Sequence, residues 1–139
     1  TNDTTMDVTI TITSSCSIET TSHLVFVPVA STATDVDATG TLTVTCTNQT
    51  PYDVGINNGA HFDTTRRMKE DGAGTTYYVP YALYRDASRT QAWGETIGTD
   101  TLSGTGSGAG QAITVYGRVP SANFPARSYK DTVTATVTY

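Results

Sequence analysis

The chain has 139 residues, of which 37% are hydrophobic and 15% charged, and its formal net charge is −5. This length favours one domain, and the acidic balance argues against a nucleic-acid-binding protein. No run of 18 or more apolar residues is present, so we expect no membrane span. Threonine, the commonest residue, suits the solvent side of β-strands. Because the sequence begins at Thr1 without a visible signal peptide, we expect a secreted protein whose signal has been removed.

The first predicted element is a β-strand over residues 4–13. Met6, Val8, Ile10 and Ile12 alternate there with threonine and aspartate, which is the pattern of a half-buried strand. This is the clearest strand pattern in the chain. The strand either pairs within its own domain or completes the domain of a neighbouring copy, and the alternation alone favours neither.

Cys16 and Cys46 are the two cysteines of the chain. An even pair in a small threonine-rich chain predicts one disulfide, made in an oxidising compartment. It would close a loop of about 30 residues and contribute roughly 3 to 4 kcal/mol in the chain-entropy model. Two buried free thiols are the alternative. His23 and His61 lack ligand spacing relative to the cysteines, so we expect no metal, and no motif indicates a cofactor.

Short alternating runs predict the remaining strands. They cover residues 23–29, 40–47, 52–59, 112–119 and 129–139. Pro28 limits the first of these runs to a sheet edge or ends it. Residues 30–40 are small and polar and predict a loop. Residues 103–110 are rich in glycine but lack the Lys-Ser/Thr of a phosphate-binding loop, so they predict a flexible loop.

Aromatic residues cluster in the middle of the chain, at Tyr77, Tyr78, Tyr81 and Tyr84. They either form a stacking surface for sugar or peptide or pack across strands, and we favour packing. The lone Trp93 predicts a core plug or a cover at the rim.

Catalytic motifs are missing from the sequence. The histidines have no partner motif of the kind that a serine hydrolase needs, and the carboxylates have no distinguishing context. We therefore expect a protein that is not an enzyme.

Strands of this length and spacing predict an all-β, immunoglobulin-like antiparallel β-sandwich. The chain ends inside a strand, at Tyr139, whereas a surplus strand stands at the N-terminus. We therefore expect residues 14–139 to form an incomplete sandwich and residues 1–13 to be a donor segment for a neighbouring subunit. Such head-to-tail exchange does not close on itself and builds a fibre. The predicted acceptor groove follows the last strand, at Val133, Ala135, Val137 and Tyr139.

Several short motifs occur in the order that one family shows. They lie at residues 15–18, 40–46, 67–68, 81–86, 93–94, 115–119 and 129–139. On these residues the chain resembles the spore coat protein U domain family, whose fold is that of pilin subunits of archaic chaperone–usher pili. It departs from the family at residues 28–29 and 127–128, where glycine is commoner, and this affects loop geometry.

The resemblance implies a secreted structural subunit. A periplasmic chaperone would lend it a strand, and at an outer-membrane usher the next subunit's donor residues, Met6, Val8, Ile10 and Ile12, would replace that strand. It also implies a Cys16–Cys46 disulfide and a homopolymeric pilus shaft that serves adhesion and biofilm formation. The alternatives are a monomeric secreted binding module and a spore-coat structural protein, to which some members of the family belong.

Overall fold

The computed structural model describes residues 1–72, 74 and 76–139, and it is all-β. The strands are β1 (Cys16–Ser22), β2 (Thr34–Cys46), β3 (Pro51–Ile56), β4 (Arg67–Glu70), β5 (Tyr78–Pro80), β6 (Ala82–Tyr84), β7 (Leu102–Thr105), β8 (Gly110–Ser121), β9 (Tyr129–Lys130) and β10 (Ala135–Thr138). Every strand pairing is antiparallel. The described residues contain no helix, so the predicted all-β antiparallel fold is confirmed.

The strands form two main sheets and one small one. The first sheet has the order β1-β2-β8-β6, the second β10-β3-β7, and the small one β5-β4-β9. β1 and β10 are therefore edge strands of different sheets. Their Cα atoms come within 8 Å of each other, so both edges lie on the same flank of the sandwich. We call this region the open flank.

The core lies between the two main sheets. Alternating residues of β2, β3 and β8 point inward, and Val44, Val54 and Ile56 are almost completely buried. Trp93 is also buried, and its indole N–H donates to the carbonyl oxygen of Val54 at 2.9 Å. The interpretation of Trp93 as a core plug is confirmed.

Two predicted loops are wrong in part. β2 begins at Thr34 rather than at residue 40, because the segment pairs with β8 and buries Val36 opposite Val119. The glycine-rich run contributes residues 103–105 to β7 and its last residue, Gly110, to β8. Glycine is needed there for close approach, since a Cβ at Gly104 would lie 2.5 Å from the Tyr52 ring.

Two predicted strands also differ from the structure. Residues 23–29 form no strand, because the chain leaves the first sheet after Ser22. The final run is divided into β9 and β10 by residues 131–134. The alternating burial predicted for this run nevertheless continues from residue 131 to residue 138. Polar contacts of Asp131 and Thr134, described below, replace the strand ladder at this break.

The Cys16–Cys46 disulfide is formed and joins β1 to β2 across a sequence separation of 30 residues. It lies where the two strands pair, with Cys16 opposite Cys46. Cys46 is buried, and Cys16 packs against the core. The bond therefore fixes the start of β1, the edge strand on the open flank.

We expect the double substitution Cys16→Ala, Cys46→Ala to lower the free energy of unfolding by roughly 3 kcal/mol, because the unfolded chain regains the freedom that the closed loop removes. Urea denaturation followed by Trp93 fluorescence measures this change. Wild-type protein kept reduced is the control and should show the same loss. Coincident curves for the oxidised wild type and the double variant would contradict the prediction.

Candidate functional site

The N-terminal segment, residues 1–15, belongs to no strand of the described chain, and every residue in it is exposed. The four alternating apolar side chains are among the most exposed: Met6 at 83%, Val8 at 87%, Ile10 at 85% and Ile12 at 75%. The segment thus does not pair within its own sandwich in this structure. A row of four large apolar side chains in water is unfavourable, and its regular spacing fits a strand-shaped partner.

The second part of the site is the free edge of β10. Among the described residues β10 pairs with β3 alone, through Ala135 to Thr138. Val133, Ala135 and Val137 are half-buried and pack against the core, whereas Tyr139 is 58% exposed. Three of the four predicted groove residues thus point into the sandwich beside an unpaired edge, and Tyr139 lies at its exposed end.

A further apolar segment, not included in the predicted groove, continues from the edge strand β1. In residues 23–29, Leu24 and Phe26 turn inward, where a Cβ at Gly117 would lie 2.8 Å from Leu24 Cδ1 and 3.1 Å from Phe26 Cζ. The alternate residues, Val25 at 71% and Val27 at 65%, are exposed. The alternation in the sequence was the available signal, but it predicted an edge strand rather than an unpaired segment that follows one.

A set of polar contacts fixes the segment that leads into β10. Tyr81 Oη donates to Asp131 Oδ2 at 2.5 Å, and the Ala60 N–H donates to Asp131 Oδ1 at 3.1 Å. The Asn57 side-chain oxygen accepts from the Thr134 N–H at 2.9 Å, and the Asn57 N–H donates to the Thr134 carbonyl at 3.0 Å. These contacts hold residues 131–134 in one position and thereby set where β10 begins.

Arg66 supports the same region from inside. Its guanidinium is buried and donates to the carbonyl oxygens of Ile56, Asn57 and Trp93. Burial lowers the pKa of Arg66. Burial also raises the pKa of Tyr81, and its hydrogen bond to Asp131 raises it further, so the phenol stays protonated as a donor. Tyr81 therefore anchors the start of β10 directly through Asp131, and Arg66 supports it through the Asn57 backbone.

The predicted tyrosine cluster is distributed over several environments. Tyr81 is in the core, Tyr78 lies under Arg67 with 3.8 Å from Cζ to the ring centroid, and Tyr77 lies 5.2 Å from Arg127. Tyr84 is opposite Tyr116 in the first sheet. The four rings thus form no single stacking platform, and cross-strand packing accounts for Tyr84.

Other candidate chemistry is limited. A depression of about 190 Å³ lies on the second sheet and is lined partly by Asp53, Glu95 and Thr101. Asp53 Oδ1 accepts hydrogen bonds from Thr101 and Ser103, so this carboxylate has a structural role.

Within the described residues, no group of three or more His, Cys, Asp or Glu side chains could hold a metal ion. None of the described residues forms a helix long and apolar enough to cross a membrane.

Comparison with known families identifies the fold. The Spore Coat Protein U domain matches residues 2–136, which is nearly the whole chain. The chain belongs to the spore coat protein U domain family. A curated family relative, "Protein U" of Myxococcus xanthus, is 37% identical over 113 residues, which cover 76% of this chain and 62% of the relative. The chain thus spans about three-fifths of that relative's length.

Two solved structures are similar to this spore coat protein U domain. One is a chain of the CsuC–CsuE chaperone–tip adhesion subunit pre-assembly complex from archaic chaperone–usher Csu pili of Acinetobacter baumannii. The TM-score is 0.63 at 20% identity, with 93% of this chain and 41% of that chain covered. The other is the minor tip subunit HdaB of the E. coli Hda pilus, with a TM-score of 0.49, 14% identity and coverage of 87% and 79%. The first likeness, together with the sheets described above, confirms the immunoglobulin-like fold.

We expect Tyr81→Phe to lower the free energy of unfolding by roughly 1 to 2 kcal/mol, because Asp131 Oδ2 loses its donor at a partly buried site. Urea denaturation measures the loss, and hydrogen exchange at Thr134 shows whether the start of β10 is affected. Tyr84→Phe is the matched control, since Tyr84 Oη has no hydrogen-bond partner among the described residues. Equal stabilities for the two variants would contradict the prediction.

Proposed function

We propose that this protein is a structural subunit of an archaic chaperone–usher pilus and polymerises by donor-strand complementation. Residues 1–13 are the donor segment, and residues 14–139 are the sandwich that accepts the donor of another copy. The observation that carries the proposal is the pairing of two complementary features in one chain. One is an exposed row of apolar residues at strand spacing, and the other is a free sheet edge with apolar residues beneath it.

The energetics favour exchange between copies. Burying Met6, Val8, Ile10 and Ile12 contributes roughly 1.5 to 3 kcal/mol each, or about 6 to 12 kcal/mol in total as an upper bound. The incoming segment also supplies main-chain hydrogen bonds to the free edge of β10, as in other cases of strand addition. Since each copy has one donor and one acceptor, the contact is head-to-tail and extends into a fibre.

The open flank also argues for a temporary partner before assembly. An exposed strand edge with apolar side chains beside it is a site for unspecific pairing and aggregation. The similar Csu structure is described as a chaperone–subunit pre-assembly complex. By analogy, a periplasmic chaperone would cover the flank of this subunit until an outer-membrane usher brings in the donor of the next copy.

The location and role of the polymer follow from the same analogy. The disulfide fits passage through an oxidising compartment such as the periplasm. A domain that carries a donor of its own fits a repeating subunit of the pilus shaft. We propose a secreted, cell-surface fibre that serves adhesion and biofilm formation.

A second candidate function is assembly into a spore coat. It is favoured by the name of the matching family, and it would use the same strand exchange in a different extracellular layer. A monomeric binding module is less well supported, because the tyrosines form no single platform and the apolar row of residues 6–12 is exposed. An enzymatic role has no supporting constellation among the described side chains.

We expect Ile10→Asp to abolish polymer formation, because a carboxylate would have to enter an apolar groove at a cost of several kcal/mol. Thr11→Asp is the matched control. It adds the same charge one position along, on the polar face of the segment, and should polymerise normally. Electron microscopy and size-exclusion chromatography of both variants measure the difference.

The proposed function is wrong if Ile10→Asp assembles as well as Thr11→Asp, or if wild-type protein forms no polymer. The subunit in a spore coat would polymerise in the same test. Co-expression with a periplasmic chaperone then separates the two candidates, since only the pilus subunit should be recovered as a chaperone complex.

A further inference from the structure

The donor segment leaves the sandwich at the end where β10 finishes. β2 leads into β3 through residues 47–50, so Cys46 and the start of β3 lie at one end. Cys16 is opposite Cys46, and Thr138 is opposite Asp53 near the start of β3. The last residues of the segment, next to Cys16, therefore lie beside the end of β10 in the same chain. This makes the segment the nearest one available to pair with the free edge of β10.

Folding back into its own groove would require the segment to reverse direction. β1 is antiparallel to β2, and β10 is antiparallel to β3. Since the chain reverses between β2 and β3 at residues 47–50, β10 runs in the same direction as β2. β1 and β10 therefore run in opposite directions. A donor inserted between them from the same chain would form a hairpin with β1, and the turn would have to fall immediately before Cys16. A donor from another copy needs no turn.

The contact between Ser15 and Thr47, which we call the exit clamp, opposes such a turn. The Thr47 N–H donates to the Ser15 carbonyl at 2.9 Å, and the Ser15 N–H donates to Thr47 Oγ1 at 2.9 Å. Thr47 Oγ1 lies 3.2 Å from the Ser15 carbonyl oxygen, to which it can also donate. These bonds extend the pairing of β1 with β2 one residue beyond the disulfide and keep Ser15 in line with β1.

Thr47 is itself held from the other side. Its carbonyl oxygen accepts from the Thr50 N–H at 3.0 Å, and a Cβ at Gly106 would lie 2.2 Å from that oxygen. The Gly108 N–H donates to the neighbouring Cys46 carbonyl at 2.9 Å. The exit clamp thus rests on the turn at residues 47–50 and on the glycine-rich run rather than on a loose surface side chain.

With Ser15 held, a turn would have to use residues 12–14. Residues 11–15 read Thr-Ile-Thr-Ser-Ser and contain no Gly, Asn, Asp or Pro, and none of them has a positive φ. A two-residue turn would pair Ile12 with the exposed Ser15 and direct the apolar row away from the core. A three-residue turn over residues 12–14 keeps the row inward but needs positive φ at its last residue, usually glycine, and Ser14 stands there. Ile12 would also leave the apolar face, so self-insertion would bury at most three of the four donor side chains.

We propose that the exit clamp prevents each subunit from filling its own groove and so directs the donor segment to a second copy. This inference rests on the proposed function. The exit clamp does not drive strand exchange itself; it decides between an intramolecular and an intermolecular partner. Thr47 acts as a positioning residue, through Ser15, on a segment that it does not otherwise contact.

The test uses the full chain refolded from denaturant over a range of concentrations. Thr47→Val removes the side-chain bonds to Ser15 but keeps the side-chain shape and the Thr47 N–H donor. We expect the ratio of donor-docked monomer to polymer to rise about fivefold at low concentration, the size expected for two exposed hydrogen bonds. Size-exclusion chromatography measures the ratio, and hydrogen exchange of residues 4–13 in the monomer fraction identifies docking.

Two further variants make the test specific. Thr45→Val is the matched control, because Thr45 lies opposite Ser17 in the same strand pair and should leave the ratio unchanged. Thr13→Asn with Ser14→Gly places glycine at the left-handed position of a three-residue hairpin turn over residues 12–14, which keeps Met6, Val8 and Ile10 directed at the core. This variant should raise the donor-docked monomer further, with residues 4–13 protected in the monomer at every concentration.

The inference is overturned if Thr47→Val behaves like Thr45→Val and the Asn-Gly variant leaves residues 4–13 unprotected in the monomer, while wild-type protein still polymerises. The proposed function would survive that result. If wild-type protein neither polymerises nor protects residues 4–13 at any concentration, both the inference and the proposed function are wrong.

Discussion

β10 has a hydrogen-bonded neighbour on one side alone within the described chain, and its other edge faces the open flank. The side chains below that edge, at Val133, Ala135 and Val137, reach the core but are only half-buried. Backbone donors and acceptors on such an edge are satisfied by water or by another strand. A segment with apolar residues at every second position satisfies the edge and covers the side chains together, which a flat or helical partner cannot do.

Both ends of this edge are held by contacts that do not involve a partner. At the start of β10, Asp131 and Thr134 are fixed by Tyr81, Asn57 and Ala60. At the other end, the disulfide and the exit clamp fix where the N-terminal segment leaves β1. The open flank is therefore expected to keep its shape in the absence of a partner, so that the proposed strand exchange would require less ordering.

The sequence could predict the fold class because alternation of apolar and polar residues depends only on local geometry. Val44, Val54 and Ile113 face the core as their alternation indicates. The β2 start at Thr34 could not be predicted, because small polar residues join a strand there only through pairing with the distant β8. Likewise, Gly104 belongs to β7 through pairing with Tyr52 of β3, and the Tyr52 ring fills the space that a Cβ at Gly104 would need.

Some parts of the candidate site could be predicted from the sequence, whereas others could not. The exposed row from Met6 to Ile12 is readable because its apolar residues alternate strictly with threonine and aspartate. The anchoring of β10 by Asp131 depends on Tyr81, which is 50 residues away in sequence, and the exit clamp depends on Thr47, which is 32 residues from Ser15. Contacts of such separation leave no local pattern, and they emerge only when the sheets are assembled.

A cryo-electron microscopy reconstruction of the assembled protein tests the central claim most directly. The account predicts a strand formed by residues 4–13 of the adjacent copy beside Ala135–Thr138, with Met6, Val8, Ile10 and Ile12 directed into the sandwich. A reconstruction in which each copy fills its own groove, or in which β10 keeps a free edge within the polymer, would contradict it.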